Sequence, residues 1–284
     1  MAPATEEPLL LIGTHRSGTT WLGEALSQAP WAAYWKEPRQ VWVYGNWFRP
    51  HDVLTAEHAR PGVVRHIRRR FDGFVRRSGA RCLCEKTPSN CLRLPFVHAV
   101  YPEARILFLV RDGRHVVLST EDERRRGVLW YRIRERLLEM RPSELPAFLE
   151  RVPWFVRALL TGAGRYWGPR PPGWRRWLRE DPPDVVAAKQ WAATMGRALD
   201  DLERIDPPHL ARIRYEQLVT EPRATMERVR DTLGLPDLEP VIAYLEATSD
   251  PNRHRQRRAQ AEADRLDPLR RHLEPVMRRL GYEW

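Results

Sequence analysis

Residues 9–29 read LLLIGTHRSGTTWLGEALSQA. Leu9 to Ile12 is a short continuous apolar run, the pattern of a strand buried on both faces of a parallel sheet. Gly13 ends it, and the polar stretch THRSGTT follows. Trp21, Leu22, Ala25, Leu26 and Ala29 then recur at helical spacing. A loop between a buried strand and a helix N-terminus is the position of phosphate-binding loops, because free backbone N–H groups and the helix dipole converge there. Outward from this stretch the pattern repeats. Residues 80–86 read as a strand stopped by Pro88, 104–110 (ARILFLV) as a second buried strand, and 210–215 (LARIRY) as another. Helices are expected over 57–78, 114–126, 184–205 and 221–234, with further helical segments near 238–247 and 264–280. This β-α-β-α rhythm predicts an α/β fold, a parallel sheet flanked by helices. No internal repeat is present.

The chain has 284 residues, 42% hydrophobic and 30% charged, which suits one domain spanning 1–284 and excludes global disorder. No run approaches the roughly 20 apolar residues of a membrane span. The opening MAPATEEP is acidic and poor in apolar residues, so no signal peptide is read and a soluble, cytoplasmic protein is expected. Lysine plus arginine number 48 against 37 acidic residues, a formal charge of +11, which attracts anions. Only Lys36, Lys86 and Lys189 are lysines. In a chain that otherwise writes its cations as arginine, a lysine near an anion site is informative, because the two differ at a point-charge site. Lys189, mid-helix and outside any motif, is expected to face solvent. Cys82 and Cys84 point to one face of their strand and, with Cys91, read as packing residues, not metal ligands.

Residues 127–182 break the rhythm. They carry Trp130, Trp154, Trp167, Trp174 and Trp177 together with proline clusters. This is a helical, Trp/Pro-rich insertion, either an acceptor lid or a subdomain whose tryptophans are its core.

Two motifs carry chemistry. In Gly13-Thr14-His15-Arg16-Ser17-Gly18-Thr19-Thr20 both glycines of GxxxxGK[ST] are present, but Thr19 stands where the P-loop lysine belongs. Triphosphate hydrolysis is disfavoured, yet the loop can cradle a single anionic ester. The second motif begins at Arg111, directly after a buried strand, and reaches Ser119 eight residues later. Ligands of parallel α/β sheets bind at that strand edge.

Together these motifs resemble the sulfotransferase family that uses 3′-phosphoadenosine 5′-phosphosulfate (PAPS). The resemblance implies a P-loop-NTPase-like sheet. It assigns Arg16, Ser17, Gly18, Thr19 and Thr20 to the 5′-phosphosulfate, and Arg111 and Ser119 to the 3′-phosphate. Trp21 stands where members place an aromatic against adenine, and Tyr215, in Arg214-Tyr215-Glu216-Gln217-Leu218, looks like the tyrosine of a Tyr-Glu-x-Leu segment that approaches the base. The strand ending Glu85-Lys86-Thr87-Pro88 lacks the histidine of cytosolic members. It looks more like the tyrosylprotein and heparan-type branch, which implies Lys86 at the sulfuryl group and Glu37, 21 residues after Arg16, as base. The aromatic residues Trp31, Tyr34, Trp35, Trp42, Tyr44 and Trp47 surround Glu37 in sequence, and desolvation by them would raise a carboxyl pKa. Asp112 and Glu85 are rival carboxylates whose strand-end positions favour holding arginines or backbone. His15 reads as structural. A basic stretch at 252–258 is the place to seek a further 3′-phosphate contact.

The expected reaction is sulfuryl transfer from PAPS to a hydroxyl or amine of a small metabolite or saccharide in a bacterial enzyme, with protein tyrosine as alternative acceptor. Glu37, Arg16 and Lys86 are the expected catalytic residues. No metal is expected, because a sulfuryl group carries less charge than a phosphoryl group. No nucleic-acid or membrane partner is expected. Two rivals stay open at this stage, a P-loop-like nucleotide kinase and a non-catalytic nucleic-acid-binding module.

Overall fold

The computed structural model describes residues 6–125, 168–250 and 263–284. Five parallel strands form one sheet: β1 (Glu6–Ile12), β2 (Ala32–Lys36), β3 (Cys82–Lys86), β4 (Arg105–Val110) and β5 (Leu210–Arg214), in the order β2-β3-β1-β4-β5. The helices between and after them are α1 (Thr19–Leu26), α2 (Arg39–Trp42), α3 (Pro61–Ser78), α4 (Leu94–Val100), α5 (Gly113–Arg125), α6 (Trp174–Glu180), α7 (Pro183–Ile205), α8 (Tyr215–Thr220), α9 (Pro222–Leu233), α10 (Glu239–Thr248), α11 (Ala263–Leu266) and α12 (Arg270–Arg279). This is the α/β parallel sheet that the sequence pattern predicts, with the P-loop-NTPase-like arrangement that the resemblance implies.

The apolar run of β1 explains why the sheet is central. Leu9, Leu10, Leu11 and Ile12 are all fully buried, and alternate side chains enter opposite layers. Leu10 and Ile12 join a core with Val63, Ile67, Phe71 and Val75 of α3 and the inner face of α7. Leu9 and Leu11 join Leu22 and Leu26 of α1 and Met226 and Val229 of α9 on the other side. Each fully buried Leu or Ile contributes about 1.5–3 kcal/mol. Cys82 and Cys84 are buried in that second layer as free thiols, as their spacing predicts.

β1 and β4 lie side by side while the chain leaves their carboxyl ends toward opposite edges of the sheet. Such a switch point opens a crevice above the strand ends. β2 was not anticipated. Only Ala33 of its five residues is buried, so it lacks the apolar signature of a strand and is defined by its pairing with β3.

Of the 127–182 insertion, the part before residue 168 lies outside the described residues, as does the basic stretch 252–258. In the described part Trp174 is buried and donates from Nε1 to the Pro50 carbonyl at 2.8 Å. Lys189 does not face open solvent: its ammonium contacts both carboxylate oxygens of Asp181, at 2.8 and 2.7 Å. The turn between α6 and α7 folds Asp181 back onto that helix face.

Candidate active site

All eleven residues singled out in the sequence lie after, or at the last residue of, a parallel strand, or in the helix that follows. Thr19, Thr20 and Trp21 open α1, and Ser119 lies in α5. Register explains two of the groupings. Lys36 pairs with Lys86 across β2 and β3, so Glu37, one residue on, donates its backbone N–H to the Lys86 carbonyl at 2.8 Å. Val110 pairs with Arg214 across β4 and β5, so Arg111 meets Tyr215, with the guanidinium 4.2 Å over the ring.

The loop after β1 is tight. Ser17 donates backbone N–H and side-chain hydroxyl to the Thr14 carbonyl, and Thr14, Ser17 and Thr19 are buried. Gly18 caps α1 at φ 90, a left-handed conformation. A Cβ there would stand 2.4 Å from the Tyr215 ring, so glycine is required twice over. Arg16 and Glu37 have φ of 63 and 53, two of the three positive-φ non-glycine residues among those described. Such strain costs on the order of 1–3 kcal/mol and concentrates at functional sites.

Arg16 donates from Nε to Ser119 Oγ at 3.0 Å and pairs with Glu123 at 2.9 Å. The Arg111 guanidinium donates to the Arg16 carbonyl at 2.7 Å. The loop and the β4 end therefore share one set of cations. Trp21 stands edge-on to Tyr215, with centroids 6.1 Å apart, and donates from Nε1 to Thr248 Oγ1 at 2.8 Å. Gly18, Trp21, Arg111 and Tyr215 thus form one aromatic and cationic corner.

A second group adjoins it through Thr20. The Lys86 ammonium, almost fully buried, donates to Thr20 Oγ1 at 3.1 Å and Glu37 Oε1 at 2.8 Å. Arg39 holds the other Glu37 oxygen at 3.1 Å. Burial pushes the Lys86 pKa below the usual lysine value, and Glu37 works against that shift. The expected aromatic enclosure of Glu37 is largely committed elsewhere. Trp42 packs in the core with Phe71, Phe96 and Tyr101, Trp35 stacks on Phe74, and Tyr44 stacks on His66. The carboxylate lies between two cations instead.

The rival carboxylates hold structure. Glu85 accepts from Thr87 and Asn90, and Asp112 clasps Arg114 at 2.7 Å. His15 is buried beside Thr14 and Thr120, and burial holds its pKa down at about 3, so it is neutral and structural. Arg39 is the pairing partner that its place two residues after Glu37 offers, whereas Glu123 was missed by sequence reasoning. Glu123 stands four residues after Ser119 on the same helical face, a spacing that does place it there.

Buried cations, strand-end hydroxyls and a helix N-terminus make a site for an anionic ester with a carboxylate at one edge. The family model described as the sulfotransferase family matches residues 8–137 and 165–240, which include all eleven candidate site residues. The chain belongs to the sulfotransferase family. It is an enzyme of sulfuryl transfer. Among solved structures, the sulfotransferase domain from the curacin biosynthetic pathway matches with a TM-score of 0.57 at 16% identity, over 99% of each chain. The sulfotransferase domain of the Synechococcus PCC 7002 olefin synthase matches at 0.52 and 17%, over 99% of this chain and 96% of that one. Sulfotransferase STF9 from Mycobacterium avium matches at 0.51 and 13%, over 99% and 78%. At such identities the likeness supports the fold. A search of curated proteins finds no significant match. No helix among the described residues of this sulfotransferase is long and apolar enough to cross a membrane.

Proposed function

We propose that this sulfotransferase takes its sulfuryl group from PAPS and delivers it to a hydroxyl or amine of a small metabolite or saccharide in the cytoplasm, without a metal. The observation that carries the reading is the set of hydrogen bonds that joins Arg16 to Ser119, Arg111 to the Arg16 carbonyl and Lys86 to Thr20 around the carboxyl ends of β1, β3 and β4. That donor set suits a nucleotide bearing two separate anionic groups. Gly18, with no Cβ, lets the Tyr215 ring pack directly against the loop, which brings the two proposed nucleotide-binding elements together.

When bound, PAPS supplies a sulfuryl group on a phosphate leaving group. Arg16, Ser17, Gly18, Thr19 and Thr20 hold the 5′ end, and the N-terminus of α1 adds its dipole. Arg111 and Ser119 hold the 3′-phosphate, while Trp21 and Tyr215 flank the adenine. Glu37 takes the proton from the acceptor, with Arg39 and Lys86 fixing its carboxylate. Arg16 and Lys86 stabilise charge on the sulfuryl oxygens and the departing phosphate, the electrostatic contribution that usually dominates. A glutamate base beside a strand-end lysine fits the tyrosylprotein and heparan-type branch better than the histidine enzymes. The chain acts as one catalytic domain.

Isothermal calorimetry with 3′-phosphoadenosine 5′-phosphate (PAP), 5′-AMP and ATP, without magnesium, tests the reading. PAP is expected to bind more tightly than 5′-AMP, and Arg111→Ala to lose that preference by about 10–100-fold, the range for a charged hydrogen-bond partner. Equal weak binding of all three nucleotides would refute PAPS as donor.

A further inference from the structure

The segment Gly281-Tyr282-Glu283-Trp284 is tied to the rest of the molecule beside the two residues expected to read the nucleotide. Arg214, which precedes Tyr215, donates to the Gly281 carbonyl at 2.7 Å and the Leu280 carbonyl at 3.3 Å. Its guanidinium also lies 4.9 Å over the Tyr282 ring. Glu216, which follows Tyr215, accepts the Tyr282 hydroxyl at 2.7 Å on one oxygen and the Asp112 backbone N–H at 3.3 Å on the other. Arg114 donates to the Glu283 carbonyl at 3.0 Å and lies 5.4 Å over the Trp284 ring, while also clasping Asp112. Arg214 and Glu216 therefore bracket Tyr215, Asp112 follows Arg111, and Glu216 bridges the two strand ends.

Two further features show how closely the segment is fitted. Gly281 has φ 76, and a Cβ there would stand 2.3 Å from the Arg214 guanidinium, so only glycine lets Arg214 reach its carbonyl. Burial and the Glu216 carboxylate push the Tyr282 phenol above its usual pKa, which keeps it a hydrogen-bond donor.

We propose that Gly281 and Tyr282 are positioning residues for the donor nucleotide: through Arg214 and Glu216 they strap Arg111 and Tyr215 into a single clamp. The proposal rests on the PAPS reading. A long arginine held in place before binding loses less side-chain freedom on binding, which is where the strap contributes affinity.

The test is calorimetry with PAP and 5′-AMP on wild type, Tyr282→Phe, Gly281→Ala and Glu283→Ala, each checked by thermal melting. Tyr282→Phe and Gly281→Ala are expected to weaken PAP binding about tenfold, the size of one lost hydrogen bond to a charged group. They are also expected to shrink the preference for PAP over 5′-AMP. Glu283→Ala keeps the carbonyl contact with Arg114 and is expected to leave both affinities unchanged. Lower melting temperatures with the PAP-to-AMP ratio intact in both strap variants would make the segment merely structural and overturn the proposal. A wild type that binds both nucleotides alike would overturn the PAPS reading, and this proposal with it.

Discussion

Glu85 is fully buried at the end of β3, one residue from the candidate catalytic Lys86, and burial pushes its pKa up to about 7. The folded chain thus binds that proton more tightly than the unfolded chain. Stability from this group is full below the ordinary carboxyl value of about 4.5 and is lost as pH rises toward 7. His15 works in the opposite sense. Its pKa is held down at about 3, so its contribution is full above about 6.5 and is lost as pH falls. Because the two slopes overlap, Glu85 is read by difference. Urea denaturation of Glu85→Gln against wild type is expected to show the variant gaining on wild type from pH 4.5 to 7, by up to about 3 kcal/mol. A difference that does not change with pH would contradict the assignment.

At the scale of elements, the loop between β1 and α1 depends on backbone shape more than on side-chain identity. Gly18→Ala must bring a Cβ into the Tyr215 ring at a φ of 90. The expected result is a fall in PAP affinity of more than tenfold and a stability loss of about 1–3 kcal/mol, seen by calorimetry and thermal melting. Gly62→Ala in α3 is the contrasting case, since nothing lies within 4 Å of the added carbon. It is expected to leave nucleotide binding unchanged and to raise stability by up to about 1 kcal/mol. β2 shows the other side of element-scale logic. Its hydrogen bonds to β3, not its own side chains, carry Glu37 to Lys86.

At the scale of the whole molecule, Asp52 joins distant parts of the chain. Its carboxylate accepts Ser89 Oγ at 2.8 Å, the Arg170 backbone N–H at 2.9 Å and the Arg170 guanidinium at 2.7 Å. Burial alone would raise its pKa, but the charge and hydrogen bonds of Arg170 outweigh that and hold it below the usual value. Its stabilisation is therefore present above about pH 3.8 and is lost as the pH falls. Asp52→Asn removes the charge from these hydrogen bonds to Arg170, at an expected cost of about 1.5–3 kcal/mol in urea denaturation. A loss below about 0.5 kcal/mol would show the pin to be dispensable.

The sequence by itself determined the strands β1, β3, β4 and β5, the loop of Arg16 to Thr20, and the placement of Arg111 directly after β4 with Ser119 in the helix that follows. These are local patterns: apolar runs on both faces, a glycine-bounded turn, and a residue placed directly after a strand. Tertiary structure decided what depends on contact between distant segments. Strand register set Glu37 against Lys86 and Arg111 against Tyr215. Core packing set Trp42 against Phe71, and Tyr282 reached Glu216 across 66 residues of sequence. No periodicity records such a meeting, because it is fixed by which faces must be buried together and not by spacing along the chain.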